Sequence, residues 1–384
     1  MKIKLLFLIV LSFIISNQLF AQKNKFDSLI TAGVYQIYRL EFENAQNTFS
    51  TVIKDYPKHP AGKFFDAMIV WWRIMLDLEN EQYDEQLEDK LGEVIDFCDE
   101  ILDKDPKNVE ALFFKGGSLG FRGRLYSVRE SWLNAALDGK EGLPLVYEAY
   151  KNDNSNVDVQ LGFGIYNYYA VVIPEKYPFI KPFMALFPKG NKEKGLEQLG
   201  NVAWNGKYAK IEARYFLLTS FYQFEQDWAK AKQYAQLLLK DFPNNPAFEK
   251  VYARIFAKEG NYPQCAKIFA GILQKCNDKK RGYNDKIKRE ASYYVGMDDY
   301  TNARWEGAKQ NLETCERLSY KLDVDLDEES GFLINSVLYL GNIYDMLGKR
   351  SEAVKKYKAV LEFRKHGASH DNAKRFLETP YKRM

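Results

Sequence analysis

Histidine is nearly absent from this chain, with three in 384 residues. Only His366 and His370 lie close together, at a spacing that suits metal ligands on one helical turn. Gly367 interrupts that turn and no third ligand lies near in sequence, so no metal site is expected. No H-E-x-x-H occurs, and no Ser-His-Asp or Cys-His arrangement can be assembled from motifs. Gly162-x-Gly164 follows no strand-like segment, which excludes a dinucleotide fingerprint. The expectation is therefore no catalytic residue, no cofactor and no enzyme.

Cysteine is also scarce: Cys98, Cys265, Cys276 and Cys315. Cys265 and Cys276 fall on one predicted helix, about 16 Å apart along its axis. A disulfide needs Cα atoms within about 7 Å, so that pair is excluded. All four suit the role of a small buried hydrophobe, and no disulfide framework is expected. Charge of one sign is lacking too. Formal charge is +3, and removing Lys2 and Lys4 leaves +1. That is no electrostatic footprint for nucleic acid.

Long apolar runs are missing apart from one. Leu5 to Ile15 is apolar except for Ser12, follows Lys2 and Lys4, and precedes Leu19-Phe20-Ala21. This pattern predicts a signal peptide over residues 1–21, with cleavage before Gln22. Eleven residues fall short of the roughly 20 that span a bilayer. The expected address is extracytoplasmic, periplasmic or secreted; an uncleaved N-terminal anchor is the alternative. No cysteine lies near the cut, so a lipid-modified bacterial N-terminus is not available.

What the chain has is a recurring pattern of anchors. Near the C-terminus stand Leu340-Gly341-x-x-Tyr344 and Ala353-x-x-x-Tyr357. The middle has Tyr222, Ala231 and Pro243, then Phe256, Cys265 and Phe269; the start has Gly33, Ala45, Phe49 and Pro57. The small residue marks a close helix crossing, the aromatic four residues later lies on the same face, and the proline follows the second helix. From Ala231 to Cys265 the step is 34 residues. The pattern resembles the tetratricopeptide repeat (TPR), whose period is about 34 residues. It implies an all-α, TPR-like right-handed helical-hairpin solenoid of about 12–14 helices with irregular, lengthened repeats. The clearest repeats fall at 26–59, 212–245, 246–279 and 334–365, within a single expected domain over 22–384. Ala45 to Ala231 and Cys265 to Ala353 are not multiples of that period, so regions 61–210 and 277–330 carry longer helices or insertions.

The region from about Ala111 to Phe242 is similar to something narrower. Gly162-Phe163-Gly164-Ile165-Tyr166-Asn167, a proline-rich aromatic spacer and Gly190-Asn191-Lys192-Glu193-Lys194-Gly195-Leu196-x-x-Leu199 resemble the eukaryotic inclusion-body-clearance family of TPR proteins. Asn191 stands where that family has an acidic residue. The resemblance implies a non-enzymatic role linked to membranes and lipid stores.

Two features can carry binding. Lys115, Arg122, Arg124 and Arg129 cluster near one helix junction and could meet a carboxylate or phosphate. They could equally form a charged rim paired with residues such as Glu130. Pro174 to Pro188 holds four of the twelve prolines, and Tyr168, Tyr169, Tyr177, Phe179, Phe183 and Phe187 lie in or beside it. This set reads either as a ledge that captures an extended peptide or apolar ligand, or as an insertion plugging a seam between repeats. A protein or peptide partner is expected, with peripheral membrane contact as the alternative.

Overall fold

The computed structural model describes residues 24–184, 187–324 and 328–383, with the Phe183 side chain outside the described set. The predicted signal segment lies outside it as well. All regular structure among the described residues is helical. The chain divides into two compact units, Met1–Gln226 with Lys240–Phe242, and Asp227–Leu239 with Pro243–Met384.

The first unit contains α1 (residues 24–38), α2 (Phe42–Asp55), α3 (Ala61–Leu76), α4 (Asp84–Leu102), α5 (Val109–Val128), α6 (Trp132–Asn152), α7 (Gln160–Lys176), α8 (Lys181–Met184), α9 (Lys192–Asn205) and α10 (Lys210–Ser220). The second contains most of α11 (Trp228–Asp241), then α12 (Pro246–Lys258), α13 (Tyr262–Asn277), α14 (Asp285–Thr301), α15 (Trp305–Leu322), α16 (Gly331–Met346), α17 (Arg350–Glu362) and α18 (Ser369–Glu378). The described helices outnumber those expected from sequence, through short additions such as α8 and the closing α18. From α2 to α7 and from α12 to α18 consecutive helices pack in order, and alternate ones also touch, as α3 does α5 and α16 does α18. Each unit is a stack of helical hairpins.

One contact repeats through the stack. A Cβ on Gly33 would overlap the Phe49 ring, and one on Gly341 the Tyr357 ring. On Gly296 it would stand 2.9 Å from Leu312 Cγ. Each partner lies four residues after a buried small residue: Ala45, Ala353 and Ala308. Sixteen residues separate glycine and partner in all three pairs. Gly164 meets Leu199, four residues after buried Gly195, in the same way at 2.7 Å, yet thirty-five residues separate them. The extra nineteen include the proline-aromatic segment 174–188, which begins in the last turn of α7.

A second repeat is written in the backbone. Leu40, Glu130, Gln226, Gly260, Ala303, Gly348 and Gly367 all have positive φ, each two residues before a helix starts. A left-handed residue precedes a helix in this way seven times. Three of the seven are glycine; the other four each cost about 1 kcal/mol, which packing offsets. Asparagine side chains then cap α5, α9, α12, α13 and α14, accepting from backbone N–H groups in the first turn.

Ser127 lies inside α5, and its Oγ donates to the Gly123 carbonyl at 2.9 Å. α6 runs without a break through Gly139, Gly142 and Pro144. Pro144 is exposed, so water can take the Lys140 carbonyl that loses its helical donor. Gly142 makes the crossing with α5, where a Cβ would stand 3.1 Å from Leu119 Cβ. Toward the basic end, α18 buries Ala373 and Phe376 against the last hairpin. All four cysteines are free and buried. Burial pushes the Cys98 and Cys265 thiols up to about 12 and those of Cys276 and Cys315 to about 11.

Candidate partner-binding surface

The structure separates the basic residues and pairs each one. Lys115 Nζ reaches Asp99 at 2.7 Å and Glu141 at 3.2 Å. Arg122 makes a two-pronged pair with buried Asp138 at 2.8 and 2.7 Å, which holds its guanidinium above the ordinary value. Arg129 binds Asp84 and the carbonyls of Leu78 and Asn80, tying α5 to the link before α4. Arg124 donates to Glu212 at 2.8 Å, and the Tyr38 hydroxyl donates to the other oxygen of that carboxylate at 3.0 Å. The partners come from other helices, not from Glu130 along the same one. The four cations join α5 to α4, α6 and α10.

The aromatic set divides as well. Tyr168 is fully buried and donates to Glu225 at 2.8 Å, while Lys192 holds the other Glu225 oxygen at 3.0 Å. Burial first, and the Glu225 bond second, push its hydroxyl well above the ordinary value. Tyr169 packs on Phe216 and Phe224 at 4.8 and 5.9 Å. Both tyrosines belong to the interior of the first unit.

The inserted segment is held by Ile180, which is buried, and by Phe187, which covers Gly139 of α6. The Tyr166 hydroxyl donates to the Pro188 carbonyl. Tyr177 and Phe179 remain 39% and 57% exposed, and Phe179 meets Trp132 of α6 edge-on at 5.7 Å. Leu133 and Leu137, one turn apart on α6, are 62% and 54% exposed. Lys176, Lys181 and Lys189 are exposed along the same segment. Phe183 falls outside the described side chains. The segment thus has an anchored side and a solvent side.

Two features escape a local reading of the sequence. Asp158, 2% exposed, accepts from the backbone N–H groups of Lys207 and Tyr208 at 2.8 and 2.9 Å and fixes the link into α10. Gly116-Gly117-Ser118-Leu119-Gly120 has the spacing of a nucleophile elbow. It lies in the middle of α5 with Ser118 fully buried, whereas an elbow needs a serine exposed on a strand-to-helix turn. Among the described residues no group of acidic, His or Cys side chains could hold a metal ion.

The tetratricopeptide-repeat family model matches residues 215–245. That stretch runs from Tyr215 in α10 through the left-handed turn at Gln226 and α11 to Asn245. No curated protein matches the chain. Among solved structures, the human IFIT1 dimer with PPP-AAAA is 14% identical, covering 84% of this chain and 68% of that one at a TM-score of 0.39. Yeast Tom70 is 12% identical over 94% and 83% at 0.37. The C-terminal part of a TPR repeat-containing protein from Cytophaga hutchinsonii is 14% identical over 89% and 98% at 0.29. The stacked hairpins and the family match define a TPR-type helical scaffold. The matched model is that of the repeat, not of the inclusion-body-clearance proteins that the central region resembles.

Proposed function

We propose that this chain is an exported, non-enzymatic TPR scaffold that binds a protein or peptide partner in the cell envelope, through the solvent side of the 174–188 insertion. The observation that carries this reading is the exposure of Tyr177 and Phe179 in the segment that links α7 to α9. Large rigid aromatics are the usual anchors of binding hot spots, and prolines lower the cost of ordering the segment on binding. Tyr177→Ser with Phe179→Ser is expected to abolish capture of a cross-linked partner from the native envelope and to leave the melting midpoint nearly unchanged. A large fall in the midpoint with capture intact would make the segment a structural plug instead.

Export rests on Lys2, Lys4 and the apolar run that follows. N-terminal sequencing of the exported protein is expected to begin near Gln22; recovery of Met1 would contradict cleavage. No described helix is long and apolar enough to cross a membrane. The alternative reading, a peripheral membrane module, is favoured by Lys176, Lys181 and Lys189 interleaved with the exposed aromatics. Flotation with anionic vesicles, lost in the same double variant, would select it.

A further inference from the structure

We propose that a groove between α6, α7 and α9 binds a neutral saccharide. The groove encloses about 570 Å³ and is open to solvent. Tyr150 of α6 and Trp204 of α9 line it, 37% and 50% exposed. Both rings are held from behind. Phe163 meets Tyr150 edge-on at 5.6 Å, and the Arg214 guanidinium lies 5.8 Å from the centre of a Trp204 ring. An exposed aromatic fixed in place is a ready platform for a flat ligand with an apolar face.

Between the platforms the lining is polar and ordered. Asn205 donates to Asn201 at 2.7 Å, and Asn201 donates to Gln160 at 2.9 Å. Asn167 donates to Gln198 at 2.8 Å. These bonds occupy the carbonyl oxygens of Gln160 and Gln198 and orient their amide nitrogens as donors. Glu197 adds an acceptor and Lys194 a donor, and their charges cancel. Gly200 also lines the groove, and a Cβ there would touch nothing within 4 Å. Packing therefore does not demand glycine at that position.

The ligand class follows from these groups. A pyranose ring has a C–H face that lies on an aromatic ring and an edge of hydroxyls that both donate and accept. Amide and carboxylate side chains match that edge. A phosphate-bearing polymer would need an excess of cations, and here one lysine faces one glutamate. A peptide would draw affinity from side chains sunk in apolar pockets, and no aliphatic residue lines the groove. The inference goes beyond the partner-binding reading and is independent of it, since Tyr177 and Phe179 take no part.

The test uses the full mature chain on an array of neutral glycans, followed by calorimetry with maltohexaose, cellohexaose and chitohexaose. At least one neutral glycan is expected to bind, with a dissociation constant below about 1 mM. Trp204→Ala is expected to weaken it by about tenfold, the equivalent of losing one aromatic contact. Gly200→Arg should abolish binding by filling the groove, with the melting midpoint kept because nothing packs there. Absence of any neutral glycan above background overturns the proposal, as does binding that both variants leave unchanged. Retention of a random peptide library that Gly200→Arg abolishes, without glycan binding, would make the groove a peptide site and overturn it as well.

Discussion

Ala353→Arg and Ala231→Arg are each expected to destabilise the second unit by more than about 3 kcal/mol. Both alanines are fully buried at helix crossings. Ala353 lies four residues before Tyr357, whose ring fills the space that a side chain on Gly341 would need. The crossing is therefore closed from two directions. An arginine there must either push the helices apart, which exposes the Tyr357 and Val360 layer, or bury a charge with no partner. Ala229→Arg is the control: Ala229 is exposed on α11, two residues before Ala231, and its replacement should cost under about 0.5 kcal/mol. Urea melts of the three variants give the comparison. Small and equal losses at all three positions would mean that the repeat register assigned to α11 and α17 is wrong.

These crossings were legible because their signal is local. At Ala353, as at Ala45, glycine, small residue and aromatic sit within one hairpin, with sixteen residues from glycine to aromatic, and the hairpin geometry fixes the spacing. The insertion at 174–188 could be seen for the same reason, since it breaks a spacing kept elsewhere. The left-handed turns before helices could not. Leu40, Glu130, Gln226 and Ala303 carry no residue signature of positive φ, and only their position before a helix relates them. In α6 tertiary packing decides the effect of glycine and proline: Gly142 is a contact and Pro144 faces water. The basic cluster misled through distance along the chain. Asp138, Asp84 and Glu212 lie 16, 45 and 88 residues from the arginines that they bind. No helical-face argument at i, i+4 reaches such partners. The exposed or buried fate of Tyr168 against Tyr177 was equally hidden, because both are tyrosines beside prolines and only the packing of α7 on α9 and α10 separates them.

Arg124→Ala is expected to cost the first unit about 3–5 kcal/mol, the penalty for leaving a buried carboxylate without its cation. Glu212 is 6% exposed, and Arg124 and Tyr38 hydrogen-bond to its two oxygens. The guanidinium also lies on the rings of Trp71 and Phe216, with its carbon 4.8 and 5.4 Å from their centres. Removing it uncovers two aromatic faces and strands one charge at once. Trp71 and Trp72 are buried beside this network, so tryptophan fluorescence reports its opening directly. Arg124→Met combined with Glu212→Leu should recover most of the stability, because a buried ion pair exchanged for apolar residues of similar volume is often neutral. A loss below about 1 kcal/mol in Arg124→Ala would show that water reaches Glu212 and that α5 and α10 are not joined through this pair. The expected outcome instead assigns Arg124, a ligand-binding candidate by sequence, to holding the hairpins of the first unit together.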